Sequence, residues 1–479
     1  MSTEDIPPQT LADIRDRSDQ ALEHLLNASG TRSGSRNGWL MISTILIESW
    51  DLYAISFLLL FIEAEYHPSA SMLGFTSAAV QGGALLGAMF GGWISDKFGR
   101  RPVFLTTMVL FIILAISQAF VTSMWELAVI RCFLGFPLGS DISSSYAYIM
   151  ETMPRERREV MGTRWQGMFG LGEIAAIIVI TCLYLTGLNH DTLWRIGLAL
   201  GALPALALLI GRLDVPETVG SLIQRGRFVR AKQVAREVFD DDLEMLPDED
   251  YPLRRPRTRD FLADIWSDPV KRRASIFSWI SNACQGAEFA AFAYYLPTIL
   301  VLTGVSSVTA TNFLTAAIYV VATVSGFTAP LVLRRIGHRG VSMWGFGMAF
   351  VSLLAAAWFL HNGWKALVPV AAAVMMWGHY WDASNGMTIT SVVAPVRYKG
   401  TASGFGYMFV KGASFATIYA FPTLFTDLGV PTATLLISII SLIGFLAAAF
   451  VLPEVYGHVE GRRSAQAERV TPARAAPVS

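Results

Sequence analysis

Apolar residues in this chain gather into long runs, and charged residues gather between them. The runs lie near 39–62, 71–94, 102–122, 125–150, 165–187 and 193–213, then near 274–301, 309–332, 341–361, 366–392, 401–425 and 432–453. A helix rises about 1.5 Å per residue, so roughly 20 residues cross a hydrocarbon layer of ~30 Å. The pattern predicts about twelve membrane-crossing helices, six on each side of a polar break at 214–272. Gly135, Pro137, Gly139, Pro297 and Pro422 fall inside runs, which a bundle tolerates because neighbouring helices re-satisfy freed backbone groups. The expected fold class is therefore an all-α membrane protein. Its six-helix lobes are expected at 37–213 and 273–453, with polar tails at 1–36 and 454–479. The first tail lacks an apolar core of signal-peptide type and reads as flexible. In the break, Pro216-Glu217-Thr218 precedes Leu222, Ile223, Phe228, Ala231 and Val234, a spacing that suggests short amphipathic helices.

Charge in the connections gives an orientation. One set holds Lys97, Arg100 and Arg101, then Arg155, Arg157, Arg158 and Arg164, then the break, then Arg334, Arg335 and Arg339, and last Arg397 and Lys399. The alternate set offers little beyond Lys365. Positive loops stay in the cytoplasm, so both termini are expected there, in an inner (plasma) membrane. The two halves also echo each other. Pro154-Arg155-Glu156-Arg157-Arg158 matches Pro395-Val396-Arg397-Tyr398-Lys399, and Arg334-Arg335-Ile336-Gly337-His338-Arg339 is a worn copy of Asp96-Lys97-Phe98-Gly99-Arg100-Arg101. Six-helix halves related by an axis along the membrane normal place a binding site at their interface.

Composition narrows the classes further. Charged residues are 15% of the chain against ~25% in soluble proteins, and mean hydropathy is +0.46. Zero formal net charge argues against a nucleic-acid partner. Cys132, Cys182 and Cys284 all lie in apolar runs, which leaves no disulfide or zinc framework. No Ser-His-Asp arrangement, metal-ligand spacing or phosphate-cradling loop is visible, so neither an enzyme nor a bound metal or cofactor is expected. His67, His190 and His338 fall in connections and are given no role.

Gly91-Gly92-Trp93-Ile94-Ser95-Asp96-Lys97-Phe98-Gly99-Arg100-Arg101-Pro102 resembles the loop between helices 2 and 3 of the major facilitator superfamily of transporters. The segment Pro216-Glu217-Thr218 to Val238, and Pro453-Glu454 with Glu460 at the other end, resemble markers of its sugar porter branch. The resemblance implies a cytoplasmic gate of Gly92, Asp96, Gly99, Arg100, Arg101, Glu151 and Arg158. Glu151 is expected to meet Arg100 and Arg157 or Arg158. Because the second copy has arginine at the place of Asp96, the first is expected to do most of the latching.

Polar groups inside the runs are candidate site residues, since an aspartate at a helix centre costs roughly 2.5–3.5 kcal/mol on insertion scales. Glu48 and Asp51 share one face of the first helix. Arg131 begins R-C-F-L-G, matching the R-x-x-x-G of sugar porters, where the helix 1 acid pairs with that arginine and exchanges a proton. Asp141, in G-S-D-I-S-S-S-Y, resembles an aspartate of the phosphate symporters and is expected to face the same cavity. Gln166 and Glu173 stand where sugar porters have two sugar-binding glutamines. Gln285 and Tyr294 fit the helix 7 pattern of that branch, but Cys284 and Ala290 replace two of its ligands and Glu288 is added. The tenth helix carries His379, Tyr380, Asp382 and Asn385. Lys411 matches a helix 11 cation of organic anion transporters, and needs an anionic partner, either substrate or an acid such as Asp382.

The sequence thus predicts a secondary active transporter, probed by three partners: a small-molecule substrate, protons and the lipid bilayer, with the chain acting as a monomer. Proton-coupled uptake of an organic acid or sugar derivative is expected, with the proton gradient as energy source. A proton-driven exporter, a neutral sugar or polyol symporter, and a receptor that binds without moving solute are the alternatives.

Overall fold

A computed structural model describes residues 8–27, 32–251, 258–305, 307–395 and 398–455. Arg397, residues 252–257 and the C-terminal tail from 456, including the expected Glu460 marker, lie outside the described residues. The described residues form helices and no strand. After α1 (Pro8–Asn27), α2 (Arg32–Ile42) and α3 (Thr44–Tyr66) make the first crossing. The next three are α4 (Ala70–Phe98), α5 (Arg100–Ser117) and α6 (Met124–Thr152). Short α7 (Arg155–Thr163) leads into α8 (Trp165–Leu185), and α9 (His190–Ala199) with α10 (Ala202–Arg212) completes six crossings.

In the polar break lie α11 (Val219–Gln224), α12 (Phe228–Phe239) and α13 (Thr258–Ser267). The second half starts with α14 (Pro269–Glu288), which passes through a π-turn at Phe289–Ala293 into α15 (Leu296–Leu302). The α16 segment (Val308–His361) is two helices joined at a turn on Gly337 and so supplies two crossings. α17 (Val368–Val393), α18 (Lys399–Leu428) and α19 (Val430–Phe450) supply the rest, giving twelve in two groups of six. Eight helices are long and apolar enough to cross a membrane by composition alone. The crossings made by α14–α15, α17 and α18 fall below that mark, and they are the ones that carry Glu288, His379, Asp382 and Lys411. The two halves meet where α4 runs along α18 and where α8 runs along α16.

Both halves turn at the charged face by the same device. Gly99 (φ 109°) and Gly337 (φ 71°) adopt backbone conformations that L side chains avoid. A β-carbon at either would also strike a carboxylate, Glu217 at 2.1 Å or Glu454 at 2.2 Å. Glu217 accepts the backbone N–H groups of Arg100 (2.9 Å) and Arg101 (3.3 Å). Glu454 accepts those of His338 (3.0 Å) and Arg339 (3.2 Å). Each glutamate thus satisfies orphan donors at a helix N-terminus and sits against its positive dipole end. We predict that Glu217→Ala lowers stability by about 2 kcal/mol, from two charge-assisted bonds set against exposure, and that Glu454→Ala behaves alike. Unfolding midpoints in detergent check this; an unchanged midpoint in both would contradict it.

The N-terminal segment, expected as a flexible tail, is instead helical over α1. Ile14, Ser18, Ala21 and Leu25 recur at helical spacing, and the three apolar ones join a buried cluster with Val219, Leu222, Phe228 and Val234. His24 and Asp241 pair at 2.6 Å across this cluster. Burial pushes the Asp241 carboxyl up, but the Leu243 N–H and His24 outweigh it and hold it below the ordinary carboxylate range. That contribution is present above the usual carboxylate pKa of about 3.9 and is lost as pH falls through the depressed value.

Candidate functional site

A tight cavity lies between the two halves. The first half lines it with Glu48, Leu52, Gln81, Trp165, Gln166 and Phe169; the second with Gln285, Phe289, Tyr294, His379, Tyr407 and Lys411, among others. Polar groups set in an aromatic wall are the usual makeup of a small-molecule site. Its centre is an ion pair that joins the halves: Lys411 on α18 meets Glu48 on α3. The second Glu48 oxygen accepts the Tyr407 hydroxyl, and the Lys411 ammonium stands 4.9 Å from the Tyr407 ring centroid. All three side chains are buried. The expected option of Lys411 against Asp382 is corrected, because α18 turns Lys411 towards α3 while Asp382 lies against Glu288 and His379.

Behind this pair Glu48, Asp51, Gln81 and Lys411 pack closely, with no room for a water molecule between them. Asp51 accepts from the Arg131 guanidinium at 3.1 Å, and Arg131 donates to Gln118 at 3.0 Å. Asp141 does not join them. Arg212 at the end of α10 binds both its oxygens (2.9 and 3.1 Å), and Thr107 (3.1 Å) and Thr44 donate as well. The expectation that Asp141 faces the shared cavity is therefore corrected: its oxygens are spent inside the first half.

The charged face is shut by contacts between the halves. Asp96 accepts from Gly400 N–H (3.1 Å), Thr401 N–H (2.7 Å) and the Thr401 hydroxyl (2.5 Å) at the start of α18. Gly92 lets α4 approach Gly400 closely. Arg100, wholly buried, bridges Asp96 (2.7 Å) and Glu151 (2.5 Å), and Glu151 also accepts from Thr218. Arg101 donates to the Leu213 carbonyl at 2.8 Å, and Arg158 is buried in α7.

The second-half copy latches too. His338, expected to be an idle loop residue, is buried and meets Glu159 of α7 at 3.2 Å and Asn385 of α17. Asn385 also donates to the His338 carbonyl (2.6 Å) and Ser342 (2.7 Å). Asn385 thus lies at this seam and not among the cavity-lining residues, and the second copy adds one contact to a latch in which Asp96 still makes more.

The opposite face is also shut. The Tyr319 hydroxyl meets that of Tyr53 at 2.7 Å and donates to the Ala293 carbonyl at 2.9 Å. Ser56 donates to the Tyr294 carbonyl at 3.0 Å, and Asn312 to Thr181 at 3.0 Å. Glu173 and Tyr380, both expected in the substrate wall, instead bond each other behind it, with the Tyr380 hydroxyl donating. Glu288 and Asp382 also lie outside the cavity wall.

Glu288, His379 and Asp382 bring one donor atom each within 4.8 Å of one another. His379 Nδ1 is already bonded to Glu288 (2.8 Å), whose other oxygen accepts from Ser441. A metal would have to break these bonds, so the cluster does not read as a metal centre. Residues that the sequence left unmarked are Trp165, Phe169, Phe289 and Tyr407 in the wall and Glu159 at the gate. Only Tyr407, one helical turn before Lys411, carried a usable signal.

Comparison with known proteins agrees with this architecture. The family described as sugar (and other) transporter matches residues 38–459. The probable metabolite transport protein CsbC of Bacillus subtilis is 26% identical, over 86% of this chain and 90% of its own length. The major myo-inositol transporter IolT of the same organism is 27% identical, over 80% and 83%. Among solved structures, the major facilitator superfamily proton:xylose symporter XylE shares the fold at a TM-score of 0.74 and 18% identity, covering 90% of this chain and 98% of that one. The relatives are transporters, not enzymes, and with a match over most of its length this chain belongs to the family of sugar (and other) transporters.

Proposed function

We propose that the protein is a proton-coupled symporter that takes up a small polyhydroxylated metabolite bearing a carboxylate, such as a sugar acid. The charged face is taken as cytoplasmic by the excess of arginine and lysine in its loops, and 37–213 and 273–453 as the two bodies that rock. The observation that carries the reading is the Glu48–Lys411 pair, which spans both halves inside the cavity. Empty, it neutralises itself and holds the halves together. A substrate carboxylate competes with Glu48 for Lys411, and Gln166 and Gln285 offer amide groups to hydroxyls. A proton on Asp51 removes that residue's charge and loosens Arg131, which leaves a net positive charge beside the pocket for the substrate anion to balance. Asp141, Glu173, Glu288, Tyr380 and Asp382 act around this centre in our reading, not in direct substrate contact.

A neutral polyol is the second reading. It is favoured by the self-neutralised ion pair and by similarity to a myo-inositol transporter. A thermal-shift panel on purified protein separates the two, because a ligand at about 100 times its Kd stabilises the folded state by ~2.7 kcal/mol. We expect D-galacturonate or D-gluconate to raise the midpoint more than myo-inositol or D-xylose. A shift with the neutral solutes alone would replace the first reading by the second.

A further inference from the structure

Asp382 is the buried acid that the site described above leaves unused. It is fully buried in α17, and neither of its oxygens has a hydrogen-bond partner. Its nearest cationic group, His379 Nδ1 at 3.8 Å, is committed to Glu288 at 2.8 Å. The neighbouring acid, Glu288 on α14, is fully buried as well, and its oxygens are taken by His379 and Ser441 of α19. The other titratable group facing the pair is the Cys284 thiol, one turn before Glu288. Where the ninth crossing packs on Asp382 it presents Gly345, which has no side chain. Among the described residues no lysine or arginine pairs with either acid.

Two carboxylates against one imidazolium would leave an unbalanced negative charge between membrane helices. Such a charge costs several kcal/mol, and a single proton on the carboxyl pair removes it. The proton would sit as an O–H on one acid directed at the other, which also gives Asp382 the partner it lacks. Access to solvent runs through His379, which lines the central cavity and stacks on Phe289 with ring centroids 5.1 Å apart.

We infer that Asp382 and Glu288 form a second proton-binding site, within the second half and reached from the cavity through His379. Asp51 and Arg131 belong wholly to the first half, so this second site is separate from that pair. On release, His379 gives a ring proton to water in the cavity and takes up the carboxyl proton in its place, so the pair returns to its charged form. A role in driving transport rests on the symport reading above; the binding of the proton does not.

Infrared difference titration of the purified full chain in lipid reads the carbonyl stretch of buried protonated carboxyls directly. We expect a wild-type band that disappears on alkaline titration, is lost in Asp382→Asn and persists in Asp51→Asn. Glu288→Gln, which removes the neighbouring charge, should change the pH at which the band disappears; this arm stands if Asp382→Asn fails to fold. The inference is overturned if no such band exists, if it survives unaltered in both second-half variants, or if Asp51→Asn abolishes it. It is equally overturned if sodium or zinc at fixed pH removes the band, since the pair would then hold a metal cation. Failure of the symport reading would appear in vesicle transport and not in this titration.

Discussion

Replacing Lys411 by alanine is expected to give the largest loss of any single substitution in the cavity. It leaves the Glu48 carboxylate buried with only the Tyr407 hydroxyl as partner. Breaking a buried pair by removing one member costs about 3–5 kcal/mol, because the remaining charge is uncompensated. The first effect is on stability, read as a lowered unfolding midpoint. The second is on binding: a loss of ~3 kcal/mol weakens affinity for an acidic substrate about 100-fold. The paired variant Glu48→Gln with Lys411→Met separates them. It removes both charges, so stability should return towards wild type while binding of the acid stays lost. If Lys411→Ala binds every transported acid as well as wild type, the carboxylate has another anchor and the sugar-acid reading fails.

Asp51→Asn is expected to separate proton from solute. Asparagine keeps the shape of the side chain and can still accept from Arg131, which also retains Gln118 at 3.0 Å. It cannot gain or lose a proton near neutral pH, so accumulation driven by an inward proton gradient should disappear. Exchange of labelled against unlabelled solute needs no net proton movement and should persist, as counterflow in proteoliposomes. Equal gradient-driven accumulation by wild type and Asp51→Asn would remove Asp51 from the coupling step.

Crossings, turns and gate motif were legible in the chain because the bilayer allows few alternatives. Runs of about twenty apolar residues have no soluble use at this density, and charged turns must lie outside the hydrocarbon. The partners of buried charges were less legible. Lys411 finds Glu48 at a separation of 363 residues, and Asp141 finds Arg212 at 71. Such pairings depend on which way each helix face turns in the bundle, and spacing along one helix does not report it. His338 was missed because its turn reads as a worn motif, yet Gly337-His338 aligns with Gly99-Arg100, and the second member of each pair is buried at the gate. Likewise α1 was hidden by its polar composition, although Ile14, Ala21 and Leu25 already mark one face.

Solute and proton are expected to enter together as the seam between the halves opens. The direct measurement is pH recording in a lightly buffered proteoliposome suspension, after addition of the solute that most stabilises the purified protein. An external alkaline shift is expected that tracks solute entry and is absent with Asp51→Asn. Solute entry without proton movement, or an external acid shift, would contradict it.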